Sequence, residues 1–264
     1  MKKKKTFDLA LVTGASSGIG RQLSRILAEE GIPLIIAARH VDQLNTLAQE
    51  LGQKVEVTVF PVDLASPQER EKLIEKIGET VPNLVVNNAG FGLYGEALSY
   101  KIAQSMAMME VNAAAVLELS LEAARVMISK HREGVILNVS SAAAFQIFPY
   151  FSVYAATKAF VNAFSESFDA ELKPYGIRVL TSCPGVVATD FQRRASGGAT
   201  REAAFSMSVE FAANEIWKQI QQEKPLHIFD WKYRLGTFLG RYFIPKSLLV
   251  KILAKVIKNR HTAT

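Results

Sequence analysis

Asp8-Leu-Ala-Leu-Val-Thr-Gly-Ala-Ser-Ser-Gly-Ile-Gly20 is the stretch that decides the fold of this chain. Its first six residues read as a short buried strand. Gly14 to Gly20 form a glycine turn, and Arg21 to Glu30 follow with Leu23, Ile26 and Leu27 at helical spacing. Strand, glycine turn and helix in that order open a dinucleotide-binding unit. Glycines let the backbone approach a pyrophosphate, and the helix N-terminus offers unpaired N–H groups at the positive end of its dipole. The spacing is Gly-x-x-x-Gly-x-Gly, not the commoner Gly-x-Gly-x-x-Gly. A glycine turn alone also fits a plain tight turn; the strand before it and the helix after it favour phosphate binding.

Working outward, apolar strand candidates alternate with helix patterns at 8–13, 33–38, 55–60, 84–87, 134–139, 177–183 and 226–229. That alternation predicts an α/β fold, a doubly wound parallel sheet of the Rossmann type with about seven strands and helices on both faces. The 264 residues are compatible with one catalytic domain over 1–264, with 231–264 as a basic, apolar C-terminal extension within it. An active site in such a sheet lies beyond the carboxyl ends of the strands. Gly14, Asp63, Asn88, Ser141 and Pro184 all follow predicted strand ends.

Tyr154 and Lys158 stand four residues apart, thirteen residues after Ser141. On a helix, positions i and i+4 share a face. A phenol ordinarily ionises near pH ~10, and a fixed cation beside it favours the phenolate. The pair has the makings of a tuned acid/base; taken alone it also fits two residues of an amphipathic helix. Ser140 and Ser141 end an apolar strand and could simply close a turn. Asn112 interrupts a helix-forming run from Ile102 to Ser129, where an Asn has no propensity advantage.

Thr13-Gly-Ala-Ser-Ser-Gly-Ile-Gly20, Asn87-Asn-Ala-Gly90, Asn112, Ser140-Ser141, Tyr154-x-x-x-Lys158 and Pro184-Gly185 with Thr189 together resemble the short-chain dehydrogenase/reductase family, in its order and at about its spacings. The resemblance spans residues 8 to 190 and continues roughly to 230. It implies a cofactor site at Gly14, Ser16, Ser17, Gly18, Ile19 and Gly20, with Asp63 at the adenine and Asn88, Ala89 and Gly90 at the adenosine ribose. It also implies that Pro184 and Gly185 belong to the cofactor site and that Thr189 bonds the nicotinamide carboxamide; otherwise Thr189 is a loop hydroxyl. Tyr154 would donate a proton to a substrate carbonyl oxygen that Ser141 holds. Lys158 would bond the nicotinamide ribose and lower the Tyr154 pKa, and Asn112 would help hold a water that relays protons to Lys158. Asp63 could equally cap a helix beginning near Pro67.

Cofactor choice rests on Ala38-Arg39. An acidic residue near the end of the second strand suits the ribose of NAD, whereas an Arg suits the 2′-phosphate of NADP. Here the acid is absent, and the Arg39 guanidinium can clamp a phosphate bidentately. NADP (as NADPH) is the expected cofactor, with a solvated strand-end Arg as the alternative. The four His residues are scattered and Cys183 is the only cysteine, so neither a metal site nor an internal disulfide is expected. Cys183 reads as structural.

Ala142, Ala143, Ala144, Phe145, Phe148 and Phe151, with Phe91, Leu93, Tyr94, Phe191, Phe205 and Met207, suggest a small apolar carbonyl substrate: lipid-, steroid- or 3-oxoacyl-like, or an aromatic ketone or aldehyde. Some of these aromatics could be core. Gln192 to Ala204, with Gly197-Gly198, is a lid candidate. Arg193 and Arg194 within it either meet an anionic group or are solvated. The reading is an NADPH-dependent carbonyl reductase. The alternatives are an NAD-linked alcohol dehydrogenase and a membrane-peripheral, cofactor-sensing protein with little turnover.

The net charge of +6 is unevenly placed. Lys2 to Lys5 open the chain, and from Trp231 onward there are eight basic residues and no acid, so the body between is net acidic. Lys246 to Lys258 reads as an amphipathic helix with Lys251, Lys255 and Lys258 on one stripe and Leu248, Leu249, Ile252, Leu253, Val256 and Ile257 beside it. It fits either packing on its own domain or a partner subunit, or peripheral association with an anionic membrane. Lysines interrupt it too often for a bilayer span. Without a recognised motif the charge does not indicate nucleic-acid binding. A cytoplasmic setting is expected, since no N-terminal apolar signal precedes the first strand. The resemblance implies a homodimer or homotetramer through the helices near 102–129 and 153–173.

Overall fold

Short, mostly apolar runs become seven strands: β1 (Ala10–Thr13), β2 (Leu34–Ala38), β3 (Val57–Pro61), β4 (Leu84–Asn87), β5 (Gly134–Val139), β6 (Ile177–Cys183) and β7 (Leu226–Ile228). The computed structural model describes residues 4–196, 206–242 and 244–261. Lys2, Lys3, Gly197 to Phe205 and Phe243 lie outside them, as do the side chains of Phe238, Tyr242, Lys246, Val256, Ile257 and Lys258. The strands form one sheet in the order β3-β2-β1-β4-β5-β6-β7, every neighbouring pair parallel. The chain runs outward from β1 to β3 and then returns to β4, so a crevice opens at the carboxyl ends of β1 and β4.

The helices are α1 (Gly18–Glu29), α2 (Val41–Leu51), α3 (Pro67–Thr80), α4 (Ile102–Met109), α5 (Ala115–Ser129), α6 (Ser152–Leu172), α7 (Asp190–Ala195), α8 (Val209–Gln222), α9 (Trp231–Tyr242) and α10 (Lys246–His261). Alternate strand residues face opposite sides. Ala10 and Val12 of β1 enter one core with Leu23 and Leu27 of α1, Leu44 of α2 and Ile216 of α8. Leu11 enters the other with Leu73 of α3, Leu119 of α5 and Phe168 of α6. Both faces of the sheet are covered, which is why its strands read as continuous apolar runs.

Three local features differ from the sequence reading. The run from Ile102 to Ser129 is broken by a π turn at Glu110–Ala114. Arg70, only 2 % exposed, spans that turn, its guanidinium pairing with Glu110 and Glu118, each at 2.8 Å. The cap of α3 is Ser66, whose hydroxyl accepts from the Glu69 amide at 3.3 Å; Asp63 instead accepts from the Ala65 amide. The segment after β7 is a helix, α9, ahead of the expected tail helix α10, which runs on to His261.

Candidate active site

The glycine turn is pinned from beneath. Thr13, last in β1, accepts hydrogen bonds from the Asn88 and Ala89 amides at 3.0 and 3.1 Å, and the Asn88 amide side chain donates to the Thr13 carbonyl at 2.9 Å. Gly14 has φ +66°, and a Cβ there would lie 2.9 Å from the Ala89 Cα, so only glycine fits. Ser17 is the N-cap of α1 without a side-chain cap, and no acid occupies the first turn. Ser16, Ser17, Gly18 and Ile19 therefore present a positive helix end to the crevice.

A cavity of about 450 Å³ runs from this turn across the sheet edge. Its walls include Gly14, Arg39, Asp63, Asn88, Ala89, Gly90, Ser141, Tyr154, Lys158, Pro184, Gly185 and Thr189, which the topology brings together from six strand ends and α6. Two of the expected catalytic and cofactor residues are not in its wall. Gly20 lies behind it, where a Cβ would overlap the Asn88 side chain and the Gly14 carbonyl. Asn112, fully buried in the π turn, exchanges both amide hydrogen bonds with the Phe91 backbone at 3.0 and 2.8 Å and donates to the Thr157 hydroxyl at 3.2 Å. Its side chain thus fixes the loop after β4.

The two serines after β5 are told apart by their partners. The Ser140 hydroxyl donates to the Lys158 carbonyl at 3.0 Å and anchors α6. The Ser141 hydroxyl hydrogen-bonds the Tyr154 phenol. Tyr154 lies in an aromatic stack, 4.3 Å from Phe151 and 5.5 Å from Phe191 between ring centroids, with Tyr94 beyond Phe151. Burial among these rings raises its pKa above the ordinary phenol value, and the Ser141 hydrogen bond only partly opposes this. The expected lowering by Lys158 is absent from this arrangement. The Lys158 ammonium donates to the Val139 carbonyl at 2.8 Å and lies over the Tyr154 ring, 5.8 Å from its centre, not at the phenol oxygen. Burial pushes Lys158 down to about 8. It likewise pushes the Cys183 thiol up to about 12, away from reactivity.

Of the apolar residues read as substrate-facing, Phe91, Leu93, Tyr94, Ala143, Phe148, Phe151 and Phe191 line the cavity. Ala142, Ala144 and Phe145 form a short turn of 3₁₀ helix outside it, and Met207 packs on the core beside Val187. Phe205 lies outside the described residues. Of two further wall residues, Arg194 was read only as a lid residue that meets an anion or is solvated, and Tyr233 has no mark in the sequence. Arg194 of α7 reaches across the crevice to donate to the Ser17 hydroxyl at 3.4 Å. Tyr233 of α9 closes the wall beside Pro184-Gly185. Both partnerships cross long stretches of chain, which no local pattern records. Among the described residues no cluster of three or more His, Cys, Asp or Glu could hold a metal ion.

The fold has direct counterparts. Residues 8–199 match the short chain dehydrogenase family. The chain is 32% identical over 186 residues to an uncharacterized oxidoreductase of Staphylococcus aureus, covering 70% of this chain and 80% of that one. It superposes with a TM-score of 0.82 and 26% identity on a short-chain dehydrogenase from Sphingobium yanoikuyae in complex with NADPH, over 88% of this chain and 92% of that one. At 20% identity and a TM-score of 0.79, a short chain dehydrogenase/reductase from Burkholderia phymatum in complex with NAD shares the fold, over 88% of this chain and 92% of that one. The chain therefore belongs to the short-chain dehydrogenase family and is an oxidoreductase of that family.

Proposed function

We propose that this protein is an NADPH-dependent reductase of small apolar ketones or aldehydes, of lipid-, steroid- or 3-oxoacyl-like character. The observation that carries the reading is the Tyr154 phenol, hydrogen-bonded to Ser141 and stacked in an aromatic cage at the sheet end of the crevice. The phosphate end fits a dinucleotide: a glycine turn, an uncapped helix N-terminus and the Arg39 side chain border one cavity. When bound there, NADPH supplies the hydride.

The protein's own part is positioning and proton supply. Burial keeps the Tyr154 phenol protonated at neutral pH, the state that a donor to a carbonyl oxygen requires. Ser141 hydrogen-bonds the same oxygen and stabilises the charge that develops on it. Lys158 would hold the nicotinamide ribose, Asn112 and Thr157 brace the loop after β4, and Asp63, Asn88 to Gly90, Pro184, Gly185 and Thr189 would border the rest of the cofactor. Phe91, Phe148, Phe151 and Phe191 exclude water and favour an apolar substrate. We read residues 1–264 as one cytoplasmic catalytic domain with a C-terminal extension, assembled as a homodimer or homotetramer.

Lys158 gives this reading a pH signature. Burial disfavours its charged form, so the ammonium is present below about pH 8 and lost above it. The expected kcat/KM for carbonyl reduction falls above that point in wild type, and the alkaline limb moves to higher pH in Lys158→Arg. A profile flat into the ordinary lysine range contradicts the role given to Lys158.

Arg194 is expected to reach the pyrophosphate from the lid side, since it already touches Ser17 at the helix end. It is solvent-exposed, so the effect is modest: Arg194→Ala weakens NADPH and NADH alike by about fivefold. Titration with both cofactors checks this, and an effect confined to NADPH would place Arg194 at the 2′-phosphate instead.

A further inference from the structure

The helix α9 has two distinct faces. On the outer one, Trp231, Leu235 and Leu239 recur every fourth residue and are 60%, 46% and 39% exposed. Lys232 and Arg234 beside them are exposed too. On α10, Leu248 and Ile252 repeat the spacing, both about half exposed, next to exposed Lys251 and Lys255. Five large apolar side chains thus emerge from a segment with eight basic residues and no acid. The inner face of α9 carries Tyr233. Its hydroxyl accepts from the Val186 amide at 3.2 Å, and its ring lies so close on Gly185 that any side chain there would overlap it. Gly240, buried on the same side, packs against Gln146.

We propose that the outer face of α9 and α10 docks on an anionic lipid bilayer, and that Tyr233 makes this docking felt at the substrate pocket. The helix that would enter the lipid headgroups is also a wall of the cavity. The coupling rests on the proposed apolar carbonyl substrate; the docking surface does not.

Charge selects the occupant. A two-fold contact between two copies would set this basic face against itself. Anionic headgroups complement it, and each basic residue near such a surface strengthens binding by about fivefold. A tryptophan beside lysines suits the boundary between headgroup and acyl chain. Among the described residues no helix is long and apolar enough to cross a membrane, so the contact lies in the plane of the interface.

The test is co-sedimentation of full-length protein with vesicles of equal parts phosphatidylglycerol and phosphatidylcholine, against vesicles of phosphatidylcholine alone. The expected result is binding to the anionic vesicles that declines with added salt, a blue shift of Trp231 emission, and a several-fold lower KM for an apolar ketone. In Leu235→Glu/Leu239→Glu all three effects are lost, while NADPH titration in free solution matches wild type. No sedimentation at low salt, or equal sedimentation with both vesicles, overturns the docking surface. Self-association lost in the variant, without vesicle binding, assigns the face to a second copy and also overturns it. Vesicle binding that leaves KM unchanged overturns the coupling through Tyr233. Failure to bind NADPH by protein that still sediments removes the reductase reading and leaves the docking surface standing.

Discussion

Tyr154→Phe is expected to lower kcat by about a thousandfold, the middle of the range for a positioned general acid, while NADPH affinity stays close to that of wild type. The substitution removes only the phenolic oxygen. The ring contacts with Phe151 and Phe191 remain, so the cage keeps its packing. The Lys158 ammonium also keeps its place, because its hydrogen bond goes to the Val139 carbonyl and not to the phenol. Single-turnover reduction with pre-bound NADPH isolates the chemical step, and calorimetry reports cofactor affinity. Retention of substantial turnover would remove Tyr154 from the proton-donor role. Parallel loss of NADPH binding would show that the substitution had disturbed the cavity and not the proton supply.

Arg39→Asp is expected to weaken NADPH by about a hundredfold and to leave NADH equal or improved. Removing one member of a close charge pair costs on the order of 2–5 kcal/mol. Arg39 is exposed, which places the loss of the guanidinium at the low end, and the new carboxylate adds repulsion toward a 2′-phosphate. The same carboxylate can accept from the ribose hydroxyls of NADH. The measurement is a pair of titrations by energy transfer from Trp217 and Trp231. Unchanged NADPH affinity would refute the clamp and favour an NAD-linked dehydrogenase. The contrast with Arg194→Ala is diagnostic, since a guanidinium at the pyrophosphate affects both cofactors equally.

The strands were readable because they are buried on both faces. Leu84–Asn87, Gly134–Val139 and Ile177–Cys183 begin and end where their apolar runs do. At β1, β2 and β3 pairing starts one or two residues later than the apolar pattern, because an adjacent strand must be present to accept each hydrogen bond. The interruption at Glu110–Ala114 was visible only as an Asn in a helical run. What holds it is Arg70 pairing with Glu110 and Glu118, whose separation along the chain hides the cluster. A buried set of Asn87, Asn138, Ser120 and Ser165 was likewise invisible: Asn87 donates to Asn138 at 2.8 Å and to Ser120 at 3.1 Å, and Asn138 to Ser165 at 2.9 Å.

By itself the sequence determined the doubly wound sheet, the glycine turn and the identity of most residues around the crevice. Each of these is recorded locally, as hydrophobic period, as glycine spacing, or as the four-residue step from Tyr154 to Lys158. Only the tertiary structure decided that Lys158 turns to the Val139 carbonyl, that Asn112 braces a loop, and that Arg194 and Tyr233 close the wall. Those outcomes depend on distances between segments far apart in the chain, and on desolvation, which follows from packing around a group and not from its neighbours in sequence.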